Sequence, residues 1–176
     1  MKRFLFLACL VSACTSGPKE NTHQPAFDTL DFSYAYAWSP RKSYSIKIAK
    51  NREAWLATRL RGKWEYFHGV ISPEHLGSLQ NNIQRLIAQS PQNTYQTHLT
   101  DQNSFQLILN SPTDTRKSIK VYGTSIPTLD SLSFSIDNIR ALTAFYPLKH
   151  PVNFDSQKGV VLPLLFLKAE DYLPPY

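Results

Sequence analysis

Hydrophobic and polar residues alternate in four short runs between residues 32 and 67. A period of two is typical of β-strands, because successive side chains of a strand point to opposite faces of a sheet. The runs cover residues 32–38, 44–48, 54–60 and 64–67. Turn-forming residues separate them, so the pattern predicts a meander of four strands.

The hydrophobic spacing changes to three and four residues in two later segments, which predicts amphipathic helices. The first follows Ser72, which can cap free backbone N–H groups, and Pro73, which suits the first helical position. Its apolar positions are Leu76, Leu79, Ile83, Leu86 and Ile87. The second begins at Pro127, and its apolar positions are Leu129, Leu132, Ile136, Ile139, Leu142 and Phe145. Alternating residues at 105–109 and 119–122 predict a strand hairpin between the two helices.

This order of elements predicts an α+β domain over residues 32–146. We expect an antiparallel sheet with both helices packed on one face. Residues 147–176 are predicted as a C-terminal extension that packs on the domain. Within it, the apolar run VVLPLLFL at 160–167 is too short to span a bilayer. It fits an edge strand that Pro163 distorts, and a partner-binding strand is the alternative.

The N-terminal residues have the pattern of an export signal. Lys2 and Arg3 precede an uncharged run at residues 4–13, which is too short to span a membrane but suits a secretory signal. The letters VSAC at its end resemble a bacterial lipobox, in which a branched aliphatic residue and two small residues precede an obligatory cysteine. We predict a lipoprotein signal peptide over residues 1–13 and lipid attachment at Cys14.

Two alternatives for this segment are an ordinary signal peptide cleaved after Ala13 and a buried N-terminal strand. Cys9 fits lipid attachment less well, because the bulky Leu7 precedes it and little apolar sequence would remain. The chain has 2 cysteines, so loss of Cys9 and acylation of Cys14 would leave no thiol for catalysis, zinc binding or disulfides. Residues 14–31 are predicted as a flexible tether, since they contain few apolar side chains.

Charge and motif content narrow the classes of function. The formal net charge is +6, but Lys2 and Arg3 supply part of it and the remaining basic residues are scattered. Nucleic-acid-binding proteins usually cluster basic residues, so we predict no nucleic-acid partner. The sequence has no HExxH, GxSxG, P-loop or GxGxxG motif, and its 5 histidines form no metal-binding motif. We therefore assign no catalytic residue, no metal site and no cofactor.

Aromatic residues on the first predicted strand are the candidate ligand-binding residues. Tyr34, Tyr36 and Trp38 lie at alternate positions and so share one face. If that face is solvated, the rings can stack on sugar rings or bind a peptide. The alternative is that they form the core face of the sheet beneath the helices.

A small cationic strip of Arg59, Arg61 and Lys63 lies beside Trp64 in the sequence. We consider two interpretations of it. The strip either contacts an anionic glycan or lipid headgroup, or is a solvated strand end.

Several longer stretches resemble a family of domains of unknown function found in secreted proteins and lipoproteins of Bacteroidota. They are GKWEYFHGVISPEHLGSLQNNI at 62–83, TDQNSFQLIL at 100–109 and RKSIKVYG at 116–123, followed by Pro-Thr-Leu at 127–129 and SIDNI at 135–139. The resemblance covers approximately residues 32–146 and implies fold and compartment only. In that family, acidic residues after the lipid-bearing cysteine look like a surface-export signal. TSGPK at 15–19 lacks them, so we expect a lipid anchor in the outer membrane of a bacterial cell, facing the periplasm.

We therefore predict a lipid-anchored cell-envelope protein that acts as a binding or interaction module. Its partners would be the membrane, through the lipid, and a protein or glycan ligand. A small hydrolase acting on envelope polymer and a structural accessory subunit of an envelope complex are the alternatives. An exposed aromatic sheet face would favour the binding module, a cleft joining two carboxylates the hydrolase, and a large apolar patch the accessory subunit.

Overall fold

Two α-helices pack together on one face of an eight-stranded sheet in the part of the chain that the structure, a computed structural model, describes. The described residues are 25–37, 43–60, 63–98, 102–111, 113 and 115–160. Cys14, Trp38 and Arg61 lie outside them, as do the predicted signal peptide and nearly all of the apolar run at 160–167.

The strands are β1 (Thr29–Ala35), β2 (Tyr44–Ala49), β3 (Glu53–Leu60), β4 (Lys63–Val70), β5 (Thr94–Gln96), β6 (Ser104–Asn110), β7 (Arg116–Tyr122) and β8 (Phe145–Pro147). The helices are α1 (Pro73–Ala88) and α2 (Pro127–Leu142), and a short 3₁₀ helix spans Asp155–Gly159. The order of the strands across the sheet is β5-β7-β6-β1-β2-β3-β4-β8. Strand β1 therefore lies at the centre, antiparallel to β2 and β6, while β5 runs parallel to β7. The predicted α+β class, with a mostly antiparallel sheet and two helices, is confirmed.

The hydrophobic core lies between the sheet and the helices. Each helix contributes four buried residues, which are Leu76, Leu79, Ile83 and Leu86 from α1 and Leu129, Leu132, Ile136 and Ile139 from α2. These are positions that the helical spacing predicts. Ile87 and Leu142, also predicted to face the core, are exposed instead, because each lies in the last turn of its helix. Phe145 belongs to β8 rather than to α2, since the helix ends at Leu142.

The ordered domain begins earlier than the sequence predicts. Strand β1 starts at Thr29, inside the segment 14–31 that was predicted as a tether. Phe27 and Leu30 are fully buried, and the Asp28 N–H donates to the Asn110 carbonyl at 2.7 Å. Few apolar residues mark this stretch, so its burial follows from its central place in the sheet rather than from its composition.

A short strand lies at each edge of the sheet, β5 at one and β8 at the other. Neither β5 nor β8 was predicted, because three residues are too few to show a period. At the β8 edge, a Cβ on Gly69 would lie 2.7 Å from the Ala144 carbonyl oxygen, so glycine permits the close approach of this segment to β4. The edge strand predicted at 160–167 lies outside the described residues.

Residues 153–159, called the covering segment below, lie on the sheet face opposite the helices, against β1 and β6. Phe154 and Ser156 are buried there. A Cβ on Gly159 would overlap the side-chain amide of Gln106 on β6, so the end of the segment approaches the sheet as closely as glycine allows. This packing covers the polar side chains Asp31 and Ser33 of β1 and Gln106 of β6 on that face.

A buried hydrogen-bond network joins the covering segment to the sheet. Asp31, 3% exposed, accepts the Ser156 hydroxyl at 2.5 Å and the Asp155 N–H at 2.8 Å. The Ser156 hydroxyl also hydrogen-bonds to Ser33 at 2.6 Å, and Ser33 to Ser45 at 2.7 Å. The network satisfies polar groups that β1 and β2 turn away from the helices, and it fixes the segment in place.

Candidate ligand-binding cleft

A cleft of about 430 Å³ opens where β1, β2 and β6 meet α2. Its sheet wall is aromatic, with Tyr34, Tyr36, Tyr44 and Phe105, and α2 supplies the opposite wall. Tyr34 is the last residue of β1 on the helix side. The aromatic pattern of β1 therefore runs from the fully buried core into the cleft.

The rings of the sheet wall stack on one another. Tyr34 lies 4.5 Å from Tyr36 between ring centroids, and 6.3 Å from Tyr44 and 6.0 Å from Phe105 with nearly parallel planes. These separations are typical of favourable aromatic pairs. Phe32 underlies the group, with its ring centroid 5.4 Å from that of Phe105. Tyr34 and Tyr36 pack on the core and also line the cleft, and their role in ligand binding stays a prediction.

Burial raises the pKa of the phenols of this wall above their ordinary value of 10.0. Burial, together with the neighbouring Tyr36, raises the pKa of Tyr34 to about 12. Burial also raises the pKa of Tyr36 and of Tyr44. At physiological pH the wall therefore presents uncharged rings and hydroxyl groups.

The α2 wall is polar and carries two carboxylates. Asp130 accepts a hydrogen bond from the Ser125 hydroxyl at 2.5 Å. Asp137 accepts from the Arg140 Nε–H at 2.8 Å, and the Arg140 guanidinium lies 4.7 Å from the centroid of the Tyr44 ring. Asp137 and Arg140 form an ion pair, so the carboxylates and this arginine leave the wall with a net negative charge.

Loop contacts hold the aromatic wall in position. The Asn103 side-chain oxygen accepts the Ala37 N–H at 2.9 Å, and the Asn103 carbonyl accepts the Gly123 N–H at 3.0 Å. The Tyr36 N–H donates to the Ser43 hydroxyl at 3.1 Å. Gly123 has a φ of 63°, a conformation that glycine adopts at no steric cost. These contacts join the ends of β1 and β6 and the start of β2 at the mouth of the cleft.

Sequence patterns missed the α2 half of the cleft. Phe134, 66% exposed, lies at the rim and off the apolar stripe of the helix. An aromatic residue among polar neighbours, in SLSFSIDNI, was the available signal. Asp130 and Asp137 were not among the predicted site residues, because sequence spacing cannot show that α2 faces Tyr34.

A second group of aromatic residues lies on the sheet face opposite the helices. Strand alternation places Trp64, Tyr66 and His68 of β4 there, beside Trp55 of β3, whose ring is 5.6 Å from that of His68. Arg61 of the predicted cationic strip lies outside the described residues, and the other two residues lie on different faces of the sheet. Arg59 pairs in register with Trp64, whereas Lys63 alternates to the other face.

Within the ranges that the structure describes, no group of three or more His, Cys, Asp or Glu side chains is placed to hold a metal ion.

The fold and the cleft define an α+β two-layer domain with a tyrosine-lined cleft at the boundary between sheet and helix. The chain matches no protein-family model, no curated protein and no solved structure. No helix in the described part of the chain combines the length and the apolar character needed to cross a bilayer.

Proposed function

We propose that the protein is a lipid-anchored cell-envelope binding module whose tyrosine cleft binds a glycan. The observation that carries the proposal is the wall of Tyr34 and Tyr36, which faces hydrogen-bonding groups across an open cleft. Aromatic faces stack on the C–H faces of sugar rings, and carboxylate and amide oxygens accept hydrogen bonds from sugar hydroxyls. A few fixed polar groups in an apolar cleft are typical of small-ligand sites.

The charge of the cleft selects among glycans. Asp130 and Asp137 lie on α2, and Arg140 is already paired with Asp137. A polyanionic chain would meet a wall of its own sign, so repulsion disfavours it. The proposal therefore specifies a neutral or amine-bearing sugar.

We expect Tyr36→Ala to bind N-acetylglucosamine oligosaccharides roughly tenfold more weakly than the unmodified protein, because one aromatic stacking partner is worth about 1.5 kcal/mol. Isothermal titration calorimetry of the detergent-solubilised full-length protein measures the affinity. Tyr146→Ala is the matched control, since Tyr146 is an exposed tyrosine of β8 that does not line the cleft. Equal affinities of the Tyr36→Ala variant and the unmodified protein would contradict the proposed site.

The two carboxylates also favour a second candidate, the hydrolase of envelope polymer. Asp130 and Asp137 are seven positions apart on one helix, so the helical rise separates them by about 10 Å along its axis. Retaining glycosidases hold their carboxyl groups at about 5 Å and inverting enzymes at about 6.5–9.5 Å. The backbone rise exceeds both separations, so hydrolysis would require the two side chains to converge across the cleft. Release of reducing sugar from a bound oligosaccharide, abolished in Asp130→Asn, would instead establish the hydrolase.

The anchor at Cys14 and its place on the periplasmic side of the outer membrane belong to the same proposal. The resemblance to Bacteroidota lipoprotein domains supports them, together with the lipobox-like VSAC. We expect Cys14→Ala to move the protein from the detergent phase to the aqueous phase in phase partitioning, because the several acyl chains are lost. Cys9→Ala is the control and should stay in the detergent phase. If both variants stay there, Cys14 is not the lipidated residue.

A further inference from the structure

Strand β5 covers only part of the outer edge of β7. It pairs with β7 from Thr94↔Lys120 to Gln96↔Tyr122, whereas β7 itself begins at Arg116. On its other side, β7 pairs with β6 along its whole length, from Arg116 to Tyr122. The edge of β7 next to residues 116–119 therefore extends beyond the end of β5.

The backbone groups that face this edge follow from the hydrogen bonds on either side. The Lys120 N–H donates to the Asn93 carbonyl at 2.9 Å, so the backbone N–H and C=O groups of the even-numbered residues of β7 point towards β5. The Ser111 N–H donates to the Thr115 carbonyl at 2.9 Å, so the backbone groups of the odd-numbered residues point towards β6. By alternation, Arg116 and Ser118 turn N–H and C=O groups to the edge. No strand among the described residues pairs with β7 there.

A groove of about 660 Å³ runs beside these groups. Its end is formed by Asn93 and Thr94, where β5 starts, so the groove continues the line of β5. On the helix side its exposed apolar residue is Ile87 of α1, which is 46% exposed, above the buried Leu109 of β6, and Lys117 of β7 lies on the same face.

The opposite side of the groove is basic. Arg116 and Lys120 share the sheet face away from the helices, and both are exposed. Arg116 pairs with Asp155 at 3.3 Å, while Lys158 lies near the same carboxylate and leaves a surplus of positive charge. A strand laid along β7 would therefore meet Ile87 and Lys117 on the helix face and Arg116 and Lys120 on the other face.

We propose that β7 binds an extended acidic peptide as an added strand in line with β5. The peptide forms ladder hydrogen bonds with Arg116 and Ser118, places apolar side chains over Ile87, and places acidic side chains beside Lys120. Strand addition at an open sheet edge draws affinity from main-chain hydrogen bonds and specificity from alternate side chains. This site is separate from the tyrosine cleft.

The test uses the full-length protein in detergent and a synthetic peptide of alternating valine and glutamate. Two further peptides carry N-methyl groups on alternate residues, so that each lacks the N–H donors along one of its two edges. We expect the peptide methylated on the edge that faces away from β7 to bind like the plain peptide. The peptide methylated on the edge that faces β7 should bind at least tenfold more weakly by fluorescence anisotropy, because it cannot form the ladder hydrogen bonds. Equal binding of both methylated peptides, or no binding of the plain peptide, would overturn the proposal.

A charge reversal locates the site on the protein. We expect Lys120→Glu to weaken binding of the plain peptide at least fivefold, while Lys149→Glu, an exposed lysine elsewhere, leaves it unchanged. Tyr36→Ala should also leave it unchanged, which separates failure of this site from failure of the glycan cleft. Sedimentation measures whether a second copy occupies the edge instead, and a dimer that the peptide does not dissociate would overturn the proposal.

Discussion

We expect the Phe32→Ala variant to lose about 3–5 kcal/mol of unfolding free energy, the usual cost of removing a buried phenylalanine ring. Phe32 is 1% exposed on the central strand, and its ring packs against Tyr34, Tyr44 and Phe105 at centroid distances of 6.2, 6.0 and 5.4 Å. The rest of the core cannot collapse into the space, because β1 is paired on both sides. Thermal unfolding by circular dichroism should show a midpoint lower by roughly 6–20 °C.

Phe134→Ala is the control for this prediction. The substitution is the same, but Phe134 lies exposed on α2, so its stability should change by no more than about 0.5 kcal/mol. Phe32→Ala should also weaken glycan binding, because the rings of the cleft wall rest on Phe32. A loss below about 1 kcal/mol would show that the core tolerates the cavity.

The second large effect concerns Asp31. We expect Asp31→Val to lose about 2–3 kcal/mol of unfolding free energy. The Ser156 hydroxyl and the Asp155 N–H would lose their buried acceptor, and Lys47, 3.7 Å from the carboxylate, would lose its ion pair. Asp31→Asn should lose less, since an amide oxygen can accept from Asp155 while its NH₂ donates to Ser156. Urea unfolding measures both variants. Equal stability of Asp31→Val and the unmodified protein would contradict the role of the network.

The stabilities of the unmodified protein and of Asp31→Asn should also depend differently on pH. Burial raises the pKa of Asp31 above its ordinary 3.8, although the Ser156 hydrogen bond and Lys47 act in the opposite direction. A folded-state pKa above the unfolded value means that the contribution of Asp31 to stability is full below pH 3.8 and declines as the pH rises through the raised pKa. The stability of Asp31→Asn relative to the unmodified protein should therefore increase from acidic to neutral pH. A constant difference would show that the pKa of Asp31 is not raised.

Hydrophobic periodicity was sufficient for the class of fold and for the inward faces of both helices. It succeeded because each long element repeats its pattern over several turns or residues. It failed for β5 and β8, which are held by pairing with β7 and β4 rather than by a pattern of their own. The start of β1 was missed for a related reason, since Asp31 and Ser33 are polar residues buried by a covering segment more than a hundred positions away.

Only one wall of the cleft could be predicted from the sequence. Tyr34 and Tyr36 are neighbours along the chain, so their shared face follows from strand geometry. Asp137 and Phe134 join them only because α2 crosses the end of β1, and that arrangement depends on the packing of the whole core. The open edge of β7 is likewise a property of the sheet, since it depends on where β5 stops.

The central position of β1 constrains how the domain can assemble as it is made. Residues 29–35 are synthesised first, yet their partner β6 consists of residues 104–110. Domains fold from the N-terminus as they emerge, so β1 can pair early with β2 but keeps its other edge open until β6 appears. Pairing of segments so distant in sequence is slow, and an unpaired edge invites association with other chains. A chain that stops before residue 104 would leave this edge of β1 without its β6 partner and open to association with other chains.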